Sequence, residues 1–138
     1  MCDRFTLRAR PAAVAEGFDL PEVPTLRLAF NIAPSQPVAV VRFDPNEGTR
    51  RLDFLTWGLV PSWTEDPGIG DQLINARVET AAEIPMFRHP FRTRRCLVVT
   101  DGFYEWRRNG GKHPFFVHMK DDRLFAYAGL REHRENSQ

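Results

Sequence analysis

Eleven prolines and nine glycines punctuate the 138 residues, and this punctuation limits what the chain can build more than any other feature does. Proline inside a helix costs a hydrogen bond, and both residues mark turns and caps. Short strands and loops are therefore favoured over long helices. PAAVAEG reads as one short helix, with Pro11 suited to its first turn and Gly17 to its C-terminal cap. PVAVVRF reads as a buried strand, DPNEG as a turn, and RLDFLTWGLV as the returning strand closed by Pro61. PSWTEDPGIGDQL has turn chemistry throughout and no period, which predicts a long loop. From Arg77 to Ile84 the Ala/Glu-rich composition predicts a helix ended by Pro85. CLVVTDGFYEW divides into two strands at Asp101-Gly102, NGG turns the chain into HPFFVHM, KDD turns it again, and LFAYAGL is the last strand. The expected fold class is α+β: a β-rich domain of short antiparallel strands with a few short helices.

A chain of 138 residues suggests one domain, 1–138, able to bury about two thirds of the surface its unfolded form exposes. Hydrophobic residues at 42% and charged residues at 27% point to a packed core rather than disorder. No apolar run reaches bilayer-spanning length and no basic-then-apolar leader is present, so the expectation is a cytoplasmic protein with no membrane partner. Two cysteines do not make a disulfide scaffold. With no Cys/His cluster at metal spacing and no glycine-rich phosphate loop, neither a metal nor a nucleotide is indicated.

Several residues could carry chemistry. FRHPFRTRR gathers Arg88, Arg92, Arg94 and Arg95 with His89 and no acidic residue between Glu83 and Asp101, a patch that suits a phosphate backbone but more commonly forms a solvated loop. Core packing is the expectation for Trp57 and Trp106, whereas Trp63 lies in a polar loop where its ring can meet a base. Glu105, flanked by aromatic residues in GFYEW, is either a carboxyl with raised pKa suited to proton transfer or a strand residue facing solvent. Asn75 in INAR reads equally as a helix cap or as an amide fixing a reactive group. The four histidines share no spacing and read as structural. Cys2 is the unusual residue. Removal of Met1 would put an α-amine and a thiol on adjacent carbons, a pair that captures an aldehyde as an imine and closes it into a thiazolidine ring.

MCDRF, FNIAPSQ, WGLVPSW, INARVET, RRCLVVTDGFYEW, HPFFVHM and FAYAGL follow one another along nearly the whole chain, and in that order they resemble the SRAP family, the SOS response-associated peptidases or abasic-site processing proteins. The resemblance implies sensing of abasic sites in single-stranded DNA and a covalent link to them through the N-terminal cysteine, with no cofactor. It assigns Cys2 as the nucleophile, Asn75 to the pocket around it, Glu105 to proton transfer, Arg77 and Arg4 to DNA contacts, and lyase chemistry as an associated activity. Trp63 joins these as a candidate stacking residue, and a monomer is expected. Two departures stand out. Asp3 replaces the glycine that usually follows the cysteine, and the family's further strands and catalytic histidine after the AGL strand have no counterpart here, so the chain reads as a shortened member. Two alternatives remain open at this point: a cysteine peptidase acting on itself or on other peptides, and a DNA-binding homologue without chemistry.

Overall fold

The computed structural model describes residues 2–107 and 113–133, so the expected NGG turn lies outside the described residues. The chain opens with β1, Phe5–Leu7, followed by the helix α1, Pro11–Gly17. Next come β2, Ala29–Ile32, then β3, Pro37–Asp44, and β4, Thr49–Thr56. A single 3-10 turn at Pro67–Asp71 interrupts the long loop, and a second helix, α2, covers Pro85–Thr93. Four strands complete the order: β5, Arg95–Thr100; β6, Gly102–Trp106; β7, Pro114–Val117; and β8, Phe125–Leu130.

The strands form two antiparallel sheets, β2-β1-β6-β7 and β4-β3-β5-β8. The α+β class and the short antiparallel strands are thus as expected. In the β3–β4 hairpin, Pro37 faces Thr56 and Asp44 faces Thr49 in continuous register. Its turn is the expected DPNEG: Gly48 at φ 66° donates to the Asp44 carbonyl at 2.8 Å, and the Asp44 carboxylate accepts from Asn46 N at 3.0 Å.

One residue, Asp101, carries the chain from the second sheet to the first between β5 and β6. It is 3% exposed and accepts from Thr6 Oγ1 at 2.5 Å and Arg8 N at 2.6 Å. Thr100 Oγ1 adds a 3.0 Å bond to the Thr6 carbonyl. A buried carboxylate is costly unless its lone pairs are met, and here backbone and hydroxyl donors meet them. Gly102 follows because nothing larger fits: an added Cβ would lie 2.3 Å from the Phe116 ring.

Three expectations are corrected. Residues 77–84 form successive turns, with Ala81 N donating to Arg77 O at 2.9 Å and Ile84 N to Thr80 O at 3.0 Å, and the helix begins at Pro85 instead of ending there. Proline's fixed φ and missing N–H suit the first helical position, and this outweighs the propensity of the preceding Ala/Glu stretch. Most of the basic patch therefore lies on the solvent side of α2, with Arg95 exposed at the start of β5. Phe87 and Pro90 are buried, Arg88, His89 and Arg92 are exposed, and Arg94 leaves the patch to pair with Glu132. At the end of α1 the left-handed residue is Asp19 (φ 55°), not Gly17, and the cap is Phe18, whose N–H bonds Val14 O at 3.0 Å. Trp106 is 38% exposed at the end of β6, while Trp57 is half-buried against the core.

The main core takes Phe5 and Leu7 from β1, Ile32 from β2, Val38–Val41 from β3, Cys96 and Val99 from β5, and Val14 from α1. Both sheets therefore share one apolar interior. A smaller cluster of Leu59, Ala81 and Phe87, joined by Leu130, fastens α2 to it. No helix among the described residues is long and apolar enough to cross a membrane.

Candidate active site around Cys2

Two loop segments are zipped together to reach Cys2. The returning strand stops at Thr56, short of the expected span, because Gly58 adopts φ 127° and lies against Gly70, where an added Cβ would sit 2.5 Å from the Gly70 carbonyl oxygen. That close approach lets Leu59 N bond Leu73 O at 3.0 Å and Trp57 Nε1 bond Ile74 O at 2.8 Å. The next residue is Asn75. Its Nδ2 donates to the Cys2 carbonyl at 2.7 Å, so the Asn75 amide holds the main chain of Cys2 and caps no helix.

Cys2 itself is half-buried. Its Sγ accepts from Tyr127 Oη at 3.4 Å and donates to the Arg4 carbonyl at 3.5 Å. Burial pushes the thiol pKa up from its ordinary value of 9.0; hydrogen bonds to the sulfur from the Tyr127 hydroxyl and the Arg4 backbone pull it back in part, and the charges of Asp3 and Glu105 push it further up. Glu105 is exposed on β6, and its carboxylate is close enough for its field to reach both the Cys2 thiol and the Tyr127 hydroxyl. Tyr127 sits among Phe5, Phe103 and Phe125, with ring centroids 5.9, 6.2 and 5.9 Å away, all edge-on. Its own pKa is raised, first by burial and then by the bond to Cys2.

A cavity of about 530 Å³ opens beside these groups. Cys2, Trp57, Asn75, Phe87, Tyr127 and Arg131 are among its lining residues, and no described histidine is. His118 instead pairs with Asp122 at 2.7 Å and stacks on Phe116. The other expected site residues lie at the surface. Arg77 is exposed without an ion pair to any described residue, Trp63 is 66% exposed, and Arg4 is half-buried with Nη1 3.5 Å from Asn31 Oδ1. Tyr127 was not foreseen. The alternation in FAYAGL marks a strand face but not the residue that this face meets.

Fold and site together define a two-sheet antiparallel domain that presents a second-position cysteine to an open, largely apolar cavity. The sequence model of SRAP, described as SOS response associated peptidase, matches residues 1–138, and the chain belongs to that family. It is 39% identical over 137 residues to the abasic site processing protein YoaM of Bacillus subtilis, covering 96% of this chain and 60% of that protein. It is 35% identical over 137 residues to the abasic site processing protein YedK of Escherichia coli, covering 94% of this chain and 59% of the relative. A crystal structure of a protein from Bordetella bronchiseptica shares the fold with a TM-score of 0.78 at 24% identity, over 94% of this chain and 63% of that one. The chain thus spans about 60% of the length of the curated relatives it matches.

Proposed function

We propose that this chain, once Met1 is removed, captures abasic sites in single-stranded DNA through Cys2, as a cytoplasmic monomer acting in the response to DNA damage. The observation that carries the reading is the hold on Cys2: its carbonyl fixed by Asn75 at 2.7 Å and its sulfur met by Tyr127 at 3.4 Å, beside an open cavity. Similarity to proteins named for abasic site processing supports the same substrate.

The chemistry balances without a cofactor. The ring-opened abasic sugar is an aldehyde. A free α-amine with a pKa of about 7.7 to 8.0 is partly neutral near pH 7, so it can attack the aldehyde carbon. The resulting carbinolamine loses water to give an imine. Sulfur then adds to the same carbon, the C=N π pair moves to nitrogen, and the thiol proton ends on that nitrogen. One water is released overall, and a five-membered ring remains. Glu105 moves protons in these steps, with the lyase chemistry of strand cleavage as a branch from the same imine. Arg77 and Arg4 take the phosphates beside the lesion, and Trp63 stacks on a neighbouring base.

The test is intact mass. Protein beginning at Cys2, incubated with an abasic single strand, gains the mass of the strand minus one water. Cys2→Ala forms no such stable adduct. Equal crosslinking by protein that retains Met1 would overturn the reading, because an acylated nitrogen cannot form an imine.

A further inference from the structure

The Tyr127 hydroxyl has a single described polar partner, the Cys2 sulfur at 3.4 Å. Its ring is clamped edge-on by Phe5, Phe103 and Phe125. β8 fixes the backbone beneath it, with Tyr127 opposite Val98 of β5. The packed ring fixes the position of the hydroxyl oxygen, and its hydrogen bond goes to the sulfur. The sulfur in turn points its own proton at the Arg4 carbonyl, 3.5 Å away. The two bonds orient the thiol from both sides. Asn75 fixes the Cys2 carbonyl on the same residue, so main chain and side chain are held by separate elements.

We propose that Tyr127 is a positioning residue for ring closure: its hydroxyl holds the Cys2 sulfur and remains hydrogen-bonded to it while the thiol gives up its proton. This inference rests on the covalent capture proposed above and divides it into two stages. The first stage, imine formation, makes its new bond at the amine, whereas the hydrogen bond described for Tyr127 goes to the sulfur. The second makes the S–C bond, moves the C=N pair to nitrogen and transfers the thiol proton there. The Tyr127 O–H bond is not broken at any point. A donor aimed at the sulfur stabilises the developing negative charge and keeps the atom within reach of the imine carbon. It also opposes burial, which drives the thiol the other way. The anionic groups nearby, Asp3 and Glu105, act with burial against ionisation of the thiol.

Tyr127→Phe deletes the hydroxyl and keeps the packed ring, and thermal unfolding verifies that the fold is retained. Three readouts are compared between wild type and variant, both starting at Cys2. In the free protein, the pH dependence of Cys2 alkylation by iodoacetamide, read by peptide mass, should move to higher pH in the variant. With an abasic single strand, the borohydride-trapped imine should form at an unchanged rate. The adduct that survives without borohydride should form about fivefold more slowly, the factor that one net hydrogen bond contributes. Superimposable alkylation curves would overturn the proposal, and so would an equal slowing of both stages, which marks a structural role. If wild type forms no adduct at all, the proposed function fails, while the alkylation curves still decide whether Tyr127 governs the sulfur.

Discussion

Asn75 and Cys2 are 73 positions apart in the chain, and a single 2.7 Å bond joins them. Deleting it by Asn75→Ala frees the Cys2 carbonyl, and adduct formation at saturating DNA should slow by about fivefold, the effect of one net hydrogen bond. Asp3 tests the electrostatics of the same residue. Its charge raises the thiol pKa, so Asp3→Asn should shift Cys2 alkylation to lower pH. The opposite shift, or none, would remove the Coulomb argument. Cys96 behaves differently because it is 7% exposed and burial pushes its thiol from 9.0 to about 11. A pKa raised by folding means stability that is whole below the unfolded value and is lost as pH rises through the folded one. Denaturant midpoints should therefore fall between pH 9.0 and about 11, less steeply in Cys96→Ala than in wild type.

At the scale of elements, glycine positions separate steric from conformational demands. Gly102 has no left-handed φ, but an added Cβ would lie 2.3 Å from the Phe116 ring, which Tyr104, His118 and Arg8 already surround. Gly102→Ala should cost about 1–3 kcal/mol as overpacking. Gly48 has φ 66° with open space around it, so Gly48→Ala should cost about 1–2 kcal/mol from backbone conformation alone. Urea unfolding of both variants measures the two costs separately. Much of this layout was legible in the sequence: the β3–β4 hairpin with its DPNEG turn, the break at Asp101-Gly102 and the β8 strand are local signals of alternation and turn chemistry. The helix after Asn75 was not, because Pro85 supports either an end or a start, and only burial of Phe87 and Pro90 against the small cluster with Leu59 and Leu130 decides. β1 and β2 also escaped, as strands of 3 and 4 residues are too short to show a period.

The whole molecule carries a net charge of only +1, so the attraction to DNA proposed above would come from where its arginines stand and not from their number. Cys2, Asn75, Glu105 and Trp63 could each be singled out from a local stretch, whereas Arg77 entered only through the order of family motifs; the structure joins Cys2 and Asn75 and leaves Arg77 and Trp63 at the surface. What sequence could not supply was pairing between distant elements, which turned Arg94 into the ion-pair partner of Glu132 and brought Tyr127 to the Cys2 sulfur. This distinction predicts a pattern of salt dependence. Each arginine that displaces counterions from a single strand contributes about 0.7 to the slope of log K against log salt. Arg77 is exposed without an ion pair to any described residue, and among the described residues the Arg4 side chain bonds only Asn31, at 3.5 Å, so both can exchange their surroundings for phosphate. Arg77→Ala and Arg4→Ala should each lower the slope by about 0.7, whereas Arg94→Ala should leave it unchanged because Glu132 already neutralises that charge. Trp63→Ala should reduce affinity by about 1–3 kcal/mol at every salt concentration without altering the slope, since stacking releases no ions. Fluorescence anisotropy of a labelled single strand over a salt series separates the two slope-lowering variants from Arg94→Ala and from Trp63→Ala. A slope lost with Arg94 and kept with Arg77 would move the DNA track from the loop beside Cys2 to the region where Arg94 pairs with Glu132.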